Sequence, residues 1–135
     1  GCCLGLVFDD RDRGPGDPTG GRLMSDAVLL YMTAGDAEEA ARIGRALVEE
    51  RLVACVNVLG PMRSIFRWQD EVQDDAEVAF LAKTRSSLVA KVSQRVKALH
   101  SYDVPCVVAL PIVAGNDAFL DWIASETGGE DRGQT

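Results

Sequence analysis

The sequence predicts an α+β domain: a four-stranded antiparallel sheet with two helices on one face and a short third helix after the last strand. Three observations carry this. Apolar residues change their spacing along the chain, from short β-branched runs to stripes at helical intervals and back, in the order β-α-β-β-α-β. The 135 residues, 47% of them apolar and 26% charged, suit a single globular core. A polar stretch at 9–22, with five glycines or prolines between Gly14 and Gly20 alone, cannot offset its own ordering entropy. It separates an expected disordered leader, residues 1–23, from a folded body, residues 24–127. Met24-Ser25-Asp26, just ahead of a Val/Leu run, resembles a natural beginning, and residues 128–135 read as a polar tail.

The body opens with AVLLYMT, residues 27–33, an apolar run bounded by Gly35-Asp36 that suits a buried central strand. Asp36 and Glu39 then stand in capping-box spacing. Ala40, Ile43, Leu47 and Val48 recur on one face against Glu38, Arg42, Arg45 and Glu49, which predicts a helix over 37–51. VACVNVL, residues 53–59, is β-branched, and Gly60-Pro61 is expected to bend or bulge it before the chain continues extended from Ser64 to Val72. Gln73-Asp74-Asp75 reads as the turn into EVAFLAKT, residues 77–84, completing a long kinked hairpin. Ser86 or Ser87 is expected to cap a second helix over 88–99, whose Leu88, Val92, Val96 and Leu99 share a face. Pro105 enforces extended chain, so Val104 to Ile112 is the expected last strand, with Pro111 placing its end at an edge. Asp117 starts the short closing helix with Phe119, Leu120, Trp122 and Ile123.

This order is that of the ferredoxin-like, or split-βαβ, fold. Its two main helices cover one sheet face only. A closing helix of about ten residues, roughly 10 Å wide, cannot hide the whole opposite face, so assembly with copies of the same chain is expected.

Fold names no function, and composition narrows the field first. Fourteen basic against twenty-one acidic residues give a net charge of −7, a field that repels phosphate backbones and anionic lipid and favours cations. RNA binding on such a sheet would also want stacking platforms, whereas aromatics are 6% of the chain. No nucleic-acid partner and no membrane partner are expected, since no apolar run approaches the length of a spanning helix. The four cysteines, Cys2, Cys3, Cys55 and Cys106, form no disulfide framework; with no secretion or myristoylation pattern at Gly1 to Gly5, a reducing cytoplasm is the expected compartment. Phosphate-binding glycine loops, HExxH, CxxC and GxSxG are absent, and one histidine cannot build the common zinc sets alone. No nucleophile and base are paired, so the chain is not read as an enzyme.

Polar and soft residues gather instead at the ends of predicted elements: ACVN at 54–57, Trp68-x-x-Glu71, Lys83-Thr84, HSYDVP at 100–105 followed by Cys106, and FLDWI at 119–123. In this order and near this spacing they resemble the CutA family of divalent-cation tolerance proteins, across Val28 to Glu126. The resemblance implies a ferredoxin-like homotrimer whose extended hairpins pair between subunits. It implies clefts at the interfaces lined by the motif residues, and an association with copper or another divalent cation. The chain departs from the family pattern at three places in one motif, where HPYE-x-PE reads HSYD-x-PC, so that Ser101, Asp103 and Cys106 replace Pro, Glu and Glu. Phe66 stands where a Y-x-W element has Tyr.

Metal candidates are Cys55, His100, Asp103 and Cys106. Cys55 in its Val-rich strand equally suits inert core packing, and Cys106 either binds a soft cation such as Cu(I) or fills an edge strand. His100 ends a helix, where an imidazolium cap competes with a neutral ligand role. Trp68, Lys83 and Tyr102 are candidates for holding an anionic ligand, as in a small-molecule sensor of the PII type, the alternative to a metal-binding protein. An interface role for Trp68 and a solvated charge for Lys83 stand beside that alternative.

Overall fold

The computed structural model describes residues 26–128; the expected leader and the tail beyond Gly128 lie outside the described residues. Strand β1 (Ala27–Ala34) leads into helix α1 (Ala37–Glu49), then strands β2 (Cys55–Trp68) and β3 (Glu71–Arg85), helix α2 (Val89–Leu99), strand β4 (Val107–Pro111) and helix α3 (Asp117–Glu126). The sheet is antiparallel with order β2-β3-β1-β4, the ferredoxin-like arrangement expected from the sequence.

Alternation along the two central strands divides the residues between faces. Val28, Leu30, Met32 and Ala34 of β1 and Val78, Phe80 and Ala82 of β3 form one core with Ala40, Ile43 and Leu47 of α1 and Val92 and Val96 of α2. Thr84, buried at the end of that row, gives its hydroxyl to the Leu52 carbonyl at 2.6 Å. Helix α1 begins as its spacing implies: the Asp36 side chain accepts the Glu39 N–H at 2.8 Å. It stops short of the expected Arg51, because Arg51 takes a left-handed φ of 60° and the Leu52 N–H turns back to the Leu47 carbonyl. Arg51 uses its position to reach the last turn of α3, where Nη2 donates to the Ser125 carbonyl at 3.0 Å.

The hairpin differs from expectation in its turn. Gln73, Asp74 and Asp75 lie within β3, opposite Phe66, Ile65 and Ser64. The chain reverses instead at Gln69-Asp70, whose φ values of 50° and 65° make the two-residue connection that suits twisted strands. Here the hairpin projects with both faces open, so a polar triplet is compatible with the ladder, and Arg63 pairs with Asp74 across it. The expected irregularity at Gly60-Pro61 is present as a register shift between Val58 and Pro61, and edge position explains why β2 tolerates the proline.

Two further boundaries shift. Neither serine caps α2: Ser86–Leu88 form one 3-10 turn, and the Ser86 N–H goes to the Asp26 carbonyl at 2.7 Å. Strand β4 begins at Val107 rather than Val104, whose side chain is exposed in the preceding loop. Asn116 caps α3 by accepting from Ala118 and Phe119, and the helix lies across the other face of the sheet, where Leu120 and Ile123 pack on Ala27 and Ala54. Beyond α3 that face is apolar and open, with Val108 and Leu110 at 50% and 47% exposure.

One contact tests the packing of α1 on the sheet. A Cβ at Gly44 would stand 2.8 Å from Val56 Cγ1 and 3.2 Å from its Cβ, so the branched side chain, not a flexible tip, blocks it. Gly44→Ala gains about 1 kcal/mol of helix propensity but overpacks by about 1–3 kcal/mol. Urea unfolding is expected to show net destabilisation, relieved when Val56→Ala is added; a more stable single variant would contradict the contact.

Candidate functional site

The motif residues occupy three stations along one face of β3. Glu71, Glu77 and Lys83 are separated by six positions each and so point the same way. At roughly 3.3 Å per residue, successive stations stand about 20 Å apart.

The first station is the hairpin end, where Trp68 lies opposite Glu71 with 56% of its surface exposed. The third is the other end of the sheet. There Cys55 lies opposite Lys83, whose Nζ donates to Asn57 Oδ1 at 3.1 Å, stands 4.0 Å from Cys55 Sγ and sits 5.8 Å from the centre of the Phe119 ring. Lys83 is therefore not the solvated charge its position at a strand end suggests. Its ammonium beside a buried thiol repels a metal cation at Cys55.

The second station is built by the loop after α2, residues 100–106, against β1, α1 and β3. The His100 side chain is fully buried. Its Nε2 lies 2.7 Å from the Thr33 carbonyl oxygen, and its Nδ1 is 3.1 Å from the Tyr102 N–H that points to it. A carbonyl can only accept and an amide can only donate, which fixes the neutral tautomer with hydrogen on Nε2. Both ring nitrogens are thus engaged, and His100 keeps no lone pair for a metal in this arrangement. The Tyr102 ring lies tilted by 46° against the imidazole with centroids 4.4 Å apart, and its hydroxyl donates to Glu77 Oε2 at 2.8 Å. Burial and that carboxylate push the phenol well above its ordinary range. Cys106 is half-buried at the start of β4, and burial together with Glu77 raises its thiol as well. Asp103 is exposed on the loop.

Glu39 was visible in the sequence only as a capping-box residue. In the structure its carboxylate does more than cap: Oε1 accepts the Gly35 N–H at 3.1 Å, and Oε2 accepts the Ser101 N–H at 2.8 Å and lies 3.6 Å from His100 Nδ1 and 3.7 Å from Arg42. Glu77, read from sequence as the start of a strand, is likewise a site residue. Nothing in its spacing shows that Tyr102 meets it.

Within one chain, then, the candidates do not converge. Cys55 and Lys83 share one station, His100, Tyr102, Asp103 and Cys106 belong to another, and Trp68 stands at the third. No three His, Cys, Asp or Glu side chains among the described residues come together as a metal-binding group.

The chain is similar to known proteins in sequence and fold. A profile of the CutA1 divalent ion tolerance protein family matches residues 28–126. The divalent-cation tolerance protein CutA of Thermus thermophilus is 50% identical over 105 residues, 78% of this chain and 100% of its own length. The chloroplastic protein CutA of Arabidopsis thaliana is 38% identical over 101 residues, 75% of this chain and 56% of its own. The solved structure of the Thermus protein superposes with a TM-score of 0.74 at 48% identity, covering 76% of this chain and 99% of that one. That of the periplasmic divalent cation tolerance protein CutA of Archaeoglobus fulgidus gives 0.72 at 44% identity, covering 74% and 97%.

The Glu39 knot has a pH signature. Burial alone would raise this carboxyl, but the hydrogen bonds from Ser101 and Gly35 outweigh it and hold Glu39 below its ordinary value. A depressed folded value adds stability above the ordinary carboxylate range and loses it as pH falls through the folded value. The unfolding free energy of the wild type minus that of Glu39→Gln is therefore expected to shrink below about pH 4, around the ordinary carboxylate titration. A difference independent of pH would mean that the charge of Glu39 contributes nothing.

Proposed function

The chain belongs to the CutA1 divalent ion tolerance protein family, and on that premise we propose that it handles copper or another divalent cation as a homotrimer, with the cation held in clefts between subunits. The observation that carries this reading is the open face of the sheet. Helix α3 covers one end of it, and apolar side chains including Val108 and Leu110 are left to water beside the second station. Burying such a surface against copies of the chain stabilises each copy by about 25 cal/mol per Å² of apolar area before association costs. The same step brings stations of different subunits near one another, which a single chain cannot do.

One subunit alone does not fit a metal. His100 has both nitrogens engaged, and Cys55 stands beside an ammonium. Asp103 and Cys106, with Glu77 beside the thiol, are the donors that the second station leaves to a cleft. A thiol among carboxylates favours a soft ion such as Cu(I) over a hard one. This is a binding role rather than an enzymatic one. An anionic ligand held by Trp68, Lys83 and Tyr102 is the competing reading, and it too requires residues of different subunits. Relatives described as chloroplastic and as periplasmic differ in compartment. For this chain Cys55 and Cys106, neither of them in a disulfide, support a reducing cytoplasm.

Sedimentation equilibrium is expected to give three times the chain mass, stable to dilution; a native monomer would sink both the assembly and the cleft. Equilibrium dialysis against Cu(I) under reducing conditions is expected to show Cys106→Ser weakening binding at least about tenfold, since a hydroxyl is a poor soft-metal ligand, with Cys55→Ser close to wild type. The reverse order would move the site to the third station.

A further inference from the structure

The second station contains an acid–base pair that the cation-binding reading does not use. We propose that His100 and Glu39 form a proton-operated latch that holds the 100–106 loop closed while the imidazole is neutral and releases it when the imidazole is charged. The latch is independent of which ligand the cleft takes.

The argument starts from hydrogen-bond polarity. The bond from Nε2 to the Thr33 carbonyl leaves Nδ1 as the acceptor, and Tyr102 N–H fills it at 3.1 Å. A second proton on the ring must go to Nδ1. Donor would then face donor, and the Tyr102 amide would lose its partner. The new N–H has an acceptor close by, because Glu39 Oε2 lies 3.6 Å from Nδ1 and already carries a negative charge. Protonation therefore transfers the ring's second hydrogen bond from the loop to α1. The loop loses the Tyr102 amide tie, and with it the register that brings the Tyr102 hydroxyl to Glu77 at 2.8 Å and places Asp103 and Cys106.

The charged and titratable groups around the ring support two states rather than one. From α1 come Glu39 and, behind it, Arg42 at 3.7 Å. The ring's own helix contributes Lys97 in its last turn, and its own loop contributes Tyr102. From β3, Glu77 and Asp75 act on Tyr102, and Cys106 at the start of β4 faces Glu77. Strand β1 offers His100 only the neutral Thr33 carbonyl. Among the described residues, the carboxylate paired with Nδ1 is thus also the one that holds the Ser101 N–H at 2.8 Å.

His100 is the only histidine in the sequence, so its imidazole resonances need no assignment by elimination. The test is an NMR titration of the full-length protein from pH 8 to pH 5, the window in which imidazole ordinarily changes charge, with Tyr102 amide exchange followed in parallel. The ring is expected to carry its hydrogen on Nε2 at pH 8. As it becomes charged, the Tyr102 protection factor is expected to fall about fivefold to tenfold, the worth of one ordinary hydrogen bond. Two variants separate a latch from a merely structural contact. Glu39→Gln removes the anion that receives the new N–H and is expected to move the transition to lower pH. Ser101→Pro, which has no N–H to give to Glu39, removes one tie of the closed loop and is expected to move it to higher pH. An imidazole that stays neutral throughout, a titration that leaves Tyr102 protection unchanged, or two variants that shift the transition the same way would each overturn the proposal.

Discussion

The register of β3 is the constraint on which the two faces of the molecule depend. This fifteen-residue strand pairs with β2 over most of its length and with β1 along its second half. Its even-numbered residues from Val78 to Thr84 enter the core under α1 and α2, and its odd-numbered residues from Glu71 to Lys83 take the other face. A slip of one residue would put Phe80 in water and the Lys83 ammonium in the core, so the register is strongly specified where both faces matter. Beyond Val78 the hairpin has no helix against it, and register there rests on cross-strand pairs such as Arg63 with Asp74 and on the Gln69-Asp70 turn. The bulge between Val58 and Pro61 separates these two regimes.

What β3 does for the sheet, Glu39 does for the end of the molecule that carries the loop. Two stretches remote in sequence meet there: Gly35 with the first turn of α1, and His100 with Ser101 after α2. Bonds from backbone N–H groups to a carboxylate are charge-assisted and stronger than neutral ones. The carboxylate also sits in the first turn of α1, where the helix dipole favours a negative charge. The cost of burying His100 is offset because every polar atom of its ring has a partner. A fully buried imidazole is thereby compatible with a loop whose neighbouring residues, Ser101, Asp103 and Val104, are exposed.

Most of the fold was legible in the sequence because burial imposes a period. The strands under α1 and α2 alternate, both main helices show a single apolar stripe, and strand order follows from the connections. Legibility failed where burial stops. Gln73-Asp74-Asp75 looks like a turn by composition, yet the projecting hairpin has no buried face to enforce alternation, and Gln69-Asp70 lacks the Asn-Gly signature of its conformation. The serines before α2 looked like caps, but the Ser86 N–H is bound to the Asp26 carbonyl just before β1, a tertiary contact that no local pattern encodes. The site was half legible for the same reason. Motif order named His100, Tyr102 and Lys83. It could not show that Lys83 points at Asn57 rather than solvent, or that Glu77 and Glu39 are the partners of Tyr102 and the loop.

The departures from the family pattern fall on residues whose structural roles are coupled. Where the pattern has Pro, Ser101 gives up a rigid turn but gains an N–H, and that N–H is bound to the carboxylate nearest His100. Where the pattern has a carboxylate, Cys106 removes one negative charge from beside Glu77, which already accepts from Tyr102. A second carboxylate at that position would compete with Glu77 through like-charge repulsion in a half-buried setting. A thiol, raised by burial and so held in its neutral form, does not. The loop of this chain is therefore held by a backbone hydrogen bond from Ser101 to Glu39, with a neutral thiol beside Glu77. In exchange, its geometry depends on the protonation of a single imidazole.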